Sequence, residues 1–116
     1  MFGRLFGLFR GRSIVIAGVD KLADGHARKI DVGDPLAGGT QVVLCRVAGE
    51  LFALDALCPH EGGRISDGPL VQGKYAICPL HNYTFDPRSG KVVRGVCGDA
   101  KRYAVKETDG KAELRV

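Results

Sequence analysis

The sequence predicts an all-β domain, an antiparallel sandwich or barrel. Three observations lead there. Apolar, β-branched runs are short and numerous. Turn-forming residues interrupt them at intervals of about 8–12 residues. After the first dozen residues, no apolar stripe keeps helical spacing for more than a turn.

Residues 1–12, MFGRLFGLFRGR, are the exception. Phe2, Leu5, Phe6 and Phe9 fall at i, i+3, i+4 and i+7, a helical stripe with Leu8 beside it. Gly3, Gly7 and Gly11 each cost a helix about 1 kcal/mol relative to alanine, so such a helix needs a surface to pack on. Twelve residues are too few to cross a bilayer. The segment is expected either to pack on its own domain or to act as an amphipathic basic tail touching a membrane surface or a partner protein.

Residues 13–116 form the expected single domain. SIVIAGV opens it as a short strand, and DKLADG at 20–25 allows barely one helical turn. HARKIDV and TQVVLCRV follow as strands, separated by the breaker-rich GDPLAGG. Val47-Ala48-Gly49-Glu50 turns the chain into LFALDAL, a hairpin. KYAIC, NYTFD and KVVR come next, the last two joined across Pro87-Arg88-Ser89-Gly90. RYAVKE and KAELRV close the chain across Thr108-Asp109-Gly110. No repeat or low-complexity stretch appears.

Composition narrows the function classes. An apolar fraction of 45% is that of a soluble globular protein. The net charge of +4 belongs mostly to Arg4, Arg10 and Arg12 in the tail; the remainder holds fourteen basic against thirteen acidic residues. A nearly neutral body argues against nucleic-acid binding. With no export segment and no dense cysteine framework, the default compartment is cytoplasmic. No Ser/His/Asp set, phosphate loop or paired catalytic carboxylates are visible, so the chain is not expected to be an enzyme in its own right.

The chemistry is concentrated in one constellation. Cys58-Pro59-His60 is followed, after seventeen residues, by Cys78-Pro79-Leu80-His81. It uses all but one of the three histidines and half of the four cysteines. Each Cys/His step is a tight turn that brings two side chains to one centre. Pro59 and Pro79 fix the backbone after each cysteine, and Gly62 and Gly63 permit a chain reversal. A zinc-stabilised interaction module can use the same four side chains, but zinc fingers pair Cys with Cys and His with His. Here each half supplies one of each.

That mixing resembles the Rieske [2Fe–2S] signature. LFALDALCPHEGGRISDG and CPLHNYTFDPRSGKV resemble the two cluster loops of bacterial Rieske ferredoxins, at about 56–64 and 77–85, and the likeness extends over 13–116. The resemblance implies the Rieske fold, antiparallel strands with an inserted cluster-binding subdomain. It implies an iron–sulfur cofactor in which Cys58 and Cys78 hold the inner iron and His60 and His81 the outer, redox-active one. It further implies a one-electron carrier working between a reductase and a terminal oxidoreductase.

High-potential respiratory relatives place a serine and then a tyrosine after the last histidine, and a disulfide between the loops. Here Tyr83 and Phe85 stand at those places, and neither loop has a further cysteine. The resemblance is therefore to the low-potential ferredoxin branch. Asn82, where dioxygenase-associated ferredoxins typically have glycine, is similar to the small subunit of NADH-dependent nitrite reductase. A non-catalytic subunit of that enzyme is the alternative expectation. A third loop, RGVCGDAK at 94–101, lies where relatives often cover the cluster with a proline, and here Gly95, Val96, Cys97 and Gly98 stand instead.

Among the remaining candidates, Cys45 is expected to be a small buried hydrophobe and Cys97 a thiol that is not a ligand. Lys91, Arg94, Lys101, Arg102 and Lys106 form either a docking face for an acidic redox partner or a solvated strand edge.

Overall fold

A computed structural model describes residues 13–33, 39–59 and 62–116. The tail at 1–12 and the ligand candidate His60 lie outside the described residues. Ten strands are described: β1 (Ser13–Ala17), β2 (His26–Val32), β3 (Thr40–Val47), β4 (Glu50–Asp55), β5 (Gly68–Pro69), β6 (Ala76–Cys78), β7 (Tyr83–Phe85), β8 (Val92–Arg94), β9 (Arg102–Thr108) and β10 (Lys111–Arg115). Every pairing among them is antiparallel. Seven form one sheet in the order β1-β10-β9-β4-β3-β2-β5, and β6-β7-β8 form a second, three-stranded sheet.

The large sheet folds over on itself because β9 serves two ladders. Arg102 and Tyr103 pair with β4, whereas Ala104 through Thr108 pair with β10. A strand that passes between ladders in this way lets a sheet turn a corner. Between the two halves lies one core, built on Val42, Leu44, Leu51, Ala53, Tyr103, Ala112 and Leu114. The opposite face of β2–β4 packs under the small sheet and makes a second core from Val43, Cys45, Leu54, Ala76 and Phe85. A middle layer covered on both faces explains why β3 reads as a nearly continuous apolar run, with every residue from Val42 to Val47 buried.

Burial pushes the Cys45 thiol up to about 12, as befits a small apolar side chain with no water in reach. Arg46 is the polar residue in that run, and the fold satisfies it. Its guanidinium donates to both Glu107 carboxylate oxygens and to the Val19 and Leu22 carbonyls. Two local expectations differ. The turn expected at 20–25 is a single 3-10 turn at Val19–Lys21, pulled forward because Val19 is buried in the first core. The short β5 edge, pairing with His26 and Ala27, has no periodic signal that a sequence reading could use.

Candidate metal centre

One cysteine-bearing loop leaves the large sheet and the other leaves the small sheet. The first follows β4. Asp55 braces it, with Oδ1 accepting the Leu57 N–H at 2.8 Å and Oδ2 accepting the Tyr103 hydroxyl at 2.7 Å. An aspartate that closes a local turn this way is legible in a sequence only as a generic turn signal. Leu57 and Arg64 bridge across the loop, and the Cys58 N–H donates to the Gly63 carbonyl at 2.7 Å. The second loop follows β6, whose Cys78 pairs with Tyr83 of β7. Ser66 ties the two loops together: its N–H donates to the Ile77 carbonyl at 2.9 Å.

The two loops come close together at Gly63. A β-carbon there would stand 2.6 Å from Cys78 Sγ, closer than real β-carbons come, and a tight 3.2 Å from Leu80 Cβ. The glycine allows the backbone of the first loop to lie against the cysteine of the second. Gly62, at φ 72°, makes the chain reversal. Sequence reasoning assigned both glycines to that reversal, and only the fold separates their roles.

Cys58 and Cys78 are 2% and 1% exposed and belong to the same buried cluster, whereas His81 is exposed at the turn between β6 and β7. The four cysteines form no disulfide with one another. The described residues alone do not assemble three His, Cys, Asp or Glu groups around one metal position, and the remaining expected ligand, His60, is outside them. The donors fit an iron–sulfur group in two respects. Two thiols face the core, where they can hold an inner ion away from water. An imidazole lies at the surface, where it could hold an outer ion within reach of a partner.

The other sequence candidates are also placed. The third loop turns back over the small sheet, held by Ala100 N–H donating to the Gly90 carbonyl at 2.7 Å and by Asp99 Oδ1 accepting the Val92 N–H at 3.0 Å. Cys97 packs partly against the core that contains Cys58 and Cys78. Partial burial, then Asp99 and Cys78, push its thiol upward. Lys91, Arg94, Lys101, Arg102 and Lys106 are all exposed. Asn82 has φ 59°, in the left-handed region where glycine and asparagine are the two most tolerated residues. Its exchange for glycine is therefore a backbone matter and says little about the partner.

The model of the Rieske [2Fe–2S] domain matches residues 13–106. The chain belongs to the Rieske family. Curated Rieske relatives include the ferredoxin component of naphthalene 1,2-dioxygenase/salicylate 5-hydroxylase systems from Ralstonia sp., 36% identical over 87 residues, or 74% of this chain and 83% of that one. Another is the 3-phenylpropionate/cinnamic acid dioxygenase ferredoxin subunit of Photorhabdus laumondii, 34% identical over 89% of this chain and 93% of that one. Among solved structures, a complex of reduced oxygenase and oxidized ferredoxin in carbazole 1,9a-dioxygenase matches with TM-score 0.74 and 20% identity, covering 89% of this chain and 92% of that one. A chain described as an NADH-dependent nitrite reductase small subunit from Mycobacterium tuberculosis matches with TM-score 0.67 and 18% identity, covering 91% and 96%. At such identities the solved structures speak to the fold alone, and it is the Rieske fold. This Rieske protein carries a [2Fe–2S] cluster and transfers electrons, the catalysis in such systems belonging to other components. Among the described residues no helix is long and apolar enough to cross a membrane.

Proposed function

We propose that Cys58, His60, Cys78 and His81 hold the cluster, and that the protein carries single electrons from a reductase to the oxygenase component of an aromatic-ring dioxygenase system. The observation that carries the site is the contact of Gly63 with Cys78 Sγ, which brings the two loops against each other between two buried thiols. The cysteines take the inner iron and the histidines the outer one, where exposed His81 faces a partner.

The ligand set also fits the electrochemistry. Two ferric ions, two sulfides and two thiolates sum to about zero charge, whereas a cluster with four thiolates carries about −2. Adding an electron to a neutral site costs less, so the mixed set raises the potential above that of an all-cysteine cluster. The partner class is supported by the curated relatives, which are dioxygenase ferredoxin components and align over most of their length. The cytoplasm is the proposed compartment, as its reducing poise suits buried thiols and the cluster. We assign residues 1–12 to a separate tail preceding a domain at 13–116; deleting the tail is expected to leave cluster and fold intact while weakening binding to a membrane or partner. A body that aggregates instead would place the tail on its own domain.

Purified protein is expected to contain about two irons and two labile sulfides per chain and, when reduced, to give a rhombic EPR signal with low average g. Cys58→Ser and Cys78→Ser are each expected to abolish assembly. One zinc and no sulfide would refute the ligand assignment. A role as nitrite reductase subunit would show instead as stoichiometric co-purification with a large flavin- or haem-bearing chain.

A further inference from the structure

The third loop reaches the surface histidine through one side chain. Tyr83 lies in β7, the middle strand of the small sheet. On one side it pairs with Cys78 of β6. On the other, its neighbour Thr84 pairs with Arg94 of β8, so continuing that ladder by one residue sets Gly95 opposite Tyr83. The side-chain geometry agrees. A β-carbon on Gly95 would stand 2.5 Å from Tyr83 Cδ2, 2.6 Å from Cγ and 2.9 Å from Cε2, so the backbone at Gly95 lies against the ring. Gly95 also has φ 144°, which side-chain-bearing residues rarely adopt.

The same ring faces the ligand loop. The His81 and Tyr83 ring centroids are 6.0 Å apart with planes at 48°, within the range in which tilted aromatic rings attract each other. Tyr83 is half-buried and packs on the core that holds Cys58 and Cys78. His81 is exposed. Gly95 is part of what holds the tyrosine ring in place.

We propose that Tyr83 is a positioning residue for His81, and that the third loop, through the close contact of Gly95 with the tyrosine ring, sets the orientation of that imidazole toward the outer iron. The ring acts here, not the hydroxyl. A glycine-rich third loop thus takes on an orienting task, where a proline cover would act by shielding. The inference rests on His81 being a ligand, so iron and sulfide content is measured first. A wild-type protein without a two-iron cluster would end the ligand reading and not this one specifically.

The test uses the reduced holoprotein and reads the histidine nitrogen couplings by pulsed EPR, the g values and the midpoint potential. Gly95→Ala and Tyr83→Ala are each expected to keep two irons while shifting the nitrogen couplings and the midpoint. Tyr83→Phe is expected to overlay the wild type. In the Tyr83→Ala background, adding Gly95→Ala is expected to change nothing further, because the ring it would strike is gone. The proposal is overturned by unshifted couplings in both single variants. It is equally overturned if Tyr83→Phe behaves like Tyr83→Ala, which would make the hydroxyl the active group. A Gly95→Ala shift that persists without the ring would also overturn it, by assigning the effect to strain in the loop itself. If Tyr83→Ala loses its iron, Tyr83→Leu keeps the apolar bulk and takes its place; spectra equal to those of Tyr83→Phe would then refute the role of the ring.

Discussion

Ala48 and Gly49 show at the scale of single residues how turn chemistry and sequence can disagree. Val47 pairs with Glu50, and the two residues between them have φ 51° and 83°, the two-residue turn that joins β3 to β4. The companion turn between β9 and β10 uses Asp109 and Gly110 at φ 52° and 75°, a pair suited to that geometry. Alanine is not suited: its β-carbon crowds the backbone in the left-handed region at a cost of about 1 kcal/mol. Ala48→Asn is therefore expected to stabilise the domain by about that amount, seen as a rise of about 4 °C in the melting midpoint. No change would mean that the turn has relaxed to another form. Asn82 follows the same rule. Sequence reasoning read it as a partner signal, and its φ of 59° shows it serving a backbone need instead.

At the scale of elements, the Arg46–Glu107 pair pins β3 to β9 across 61 residues of sequence. The Arg46 side chain is 9% exposed and also serves the Val19 and Leu22 carbonyls, so its loss strands several acceptors. Arg46→Met is expected to cost about 2–3 kcal/mol in denaturant unfolding, and Glu107→Gln about 1 kcal/mol. The hydrogen bond from Arg46, the largest cause, holds the Glu107 carboxyl below its ordinary 4.5. A depressed carboxylate contributes its stability fully above the ordinary value and loses it as pH falls through the lower folded value. As pH falls below the ordinary carboxylate value of 4.5, the wild type should therefore lose stability more steeply than Glu107→Gln. Equal acid slopes would show that the pair is not formed in solution. β7 carries a second element-scale consequence. Phe85 is fully buried in the core that holds both cysteines, at the place where high-potential relatives have a tyrosine. With no hydroxyl there, the midpoint is expected near the bottom of the Rieske range, about −150 mV. Phe85→Tyr is expected to raise it by about 60 mV, the worth of one hydrogen bond to a charged acceptor in a one-electron couple. A wild-type midpoint above about +100 mV would contradict the low-potential assignment.

At the scale of the whole molecule, the all-β class, the positions of most strands and the spacing of the proposed ligands were legible along the chain. HARKIDV and TQVVLCRV coincide with β2 and β3 to the residue. The reason is physical: β periodicity and turn chemistry are set within a few neighbouring residues, and the cysteine and histidine of each pair are close neighbours in sequence. The middle-layer burial of β3 was visible only as an apolar run, since a run cannot say what covers it. Three things depended on tertiary structure alone. Gly63 lies against Cys78, Gly95 lies on Tyr83, and Arg46 meets Glu107. Each joins segments whose separation in sequence carries no information about their separation in space. For the two glycines, moreover, what matters is the space a missing β-carbon leaves, and that space exists only once the opposing loop or strand has been folded against it.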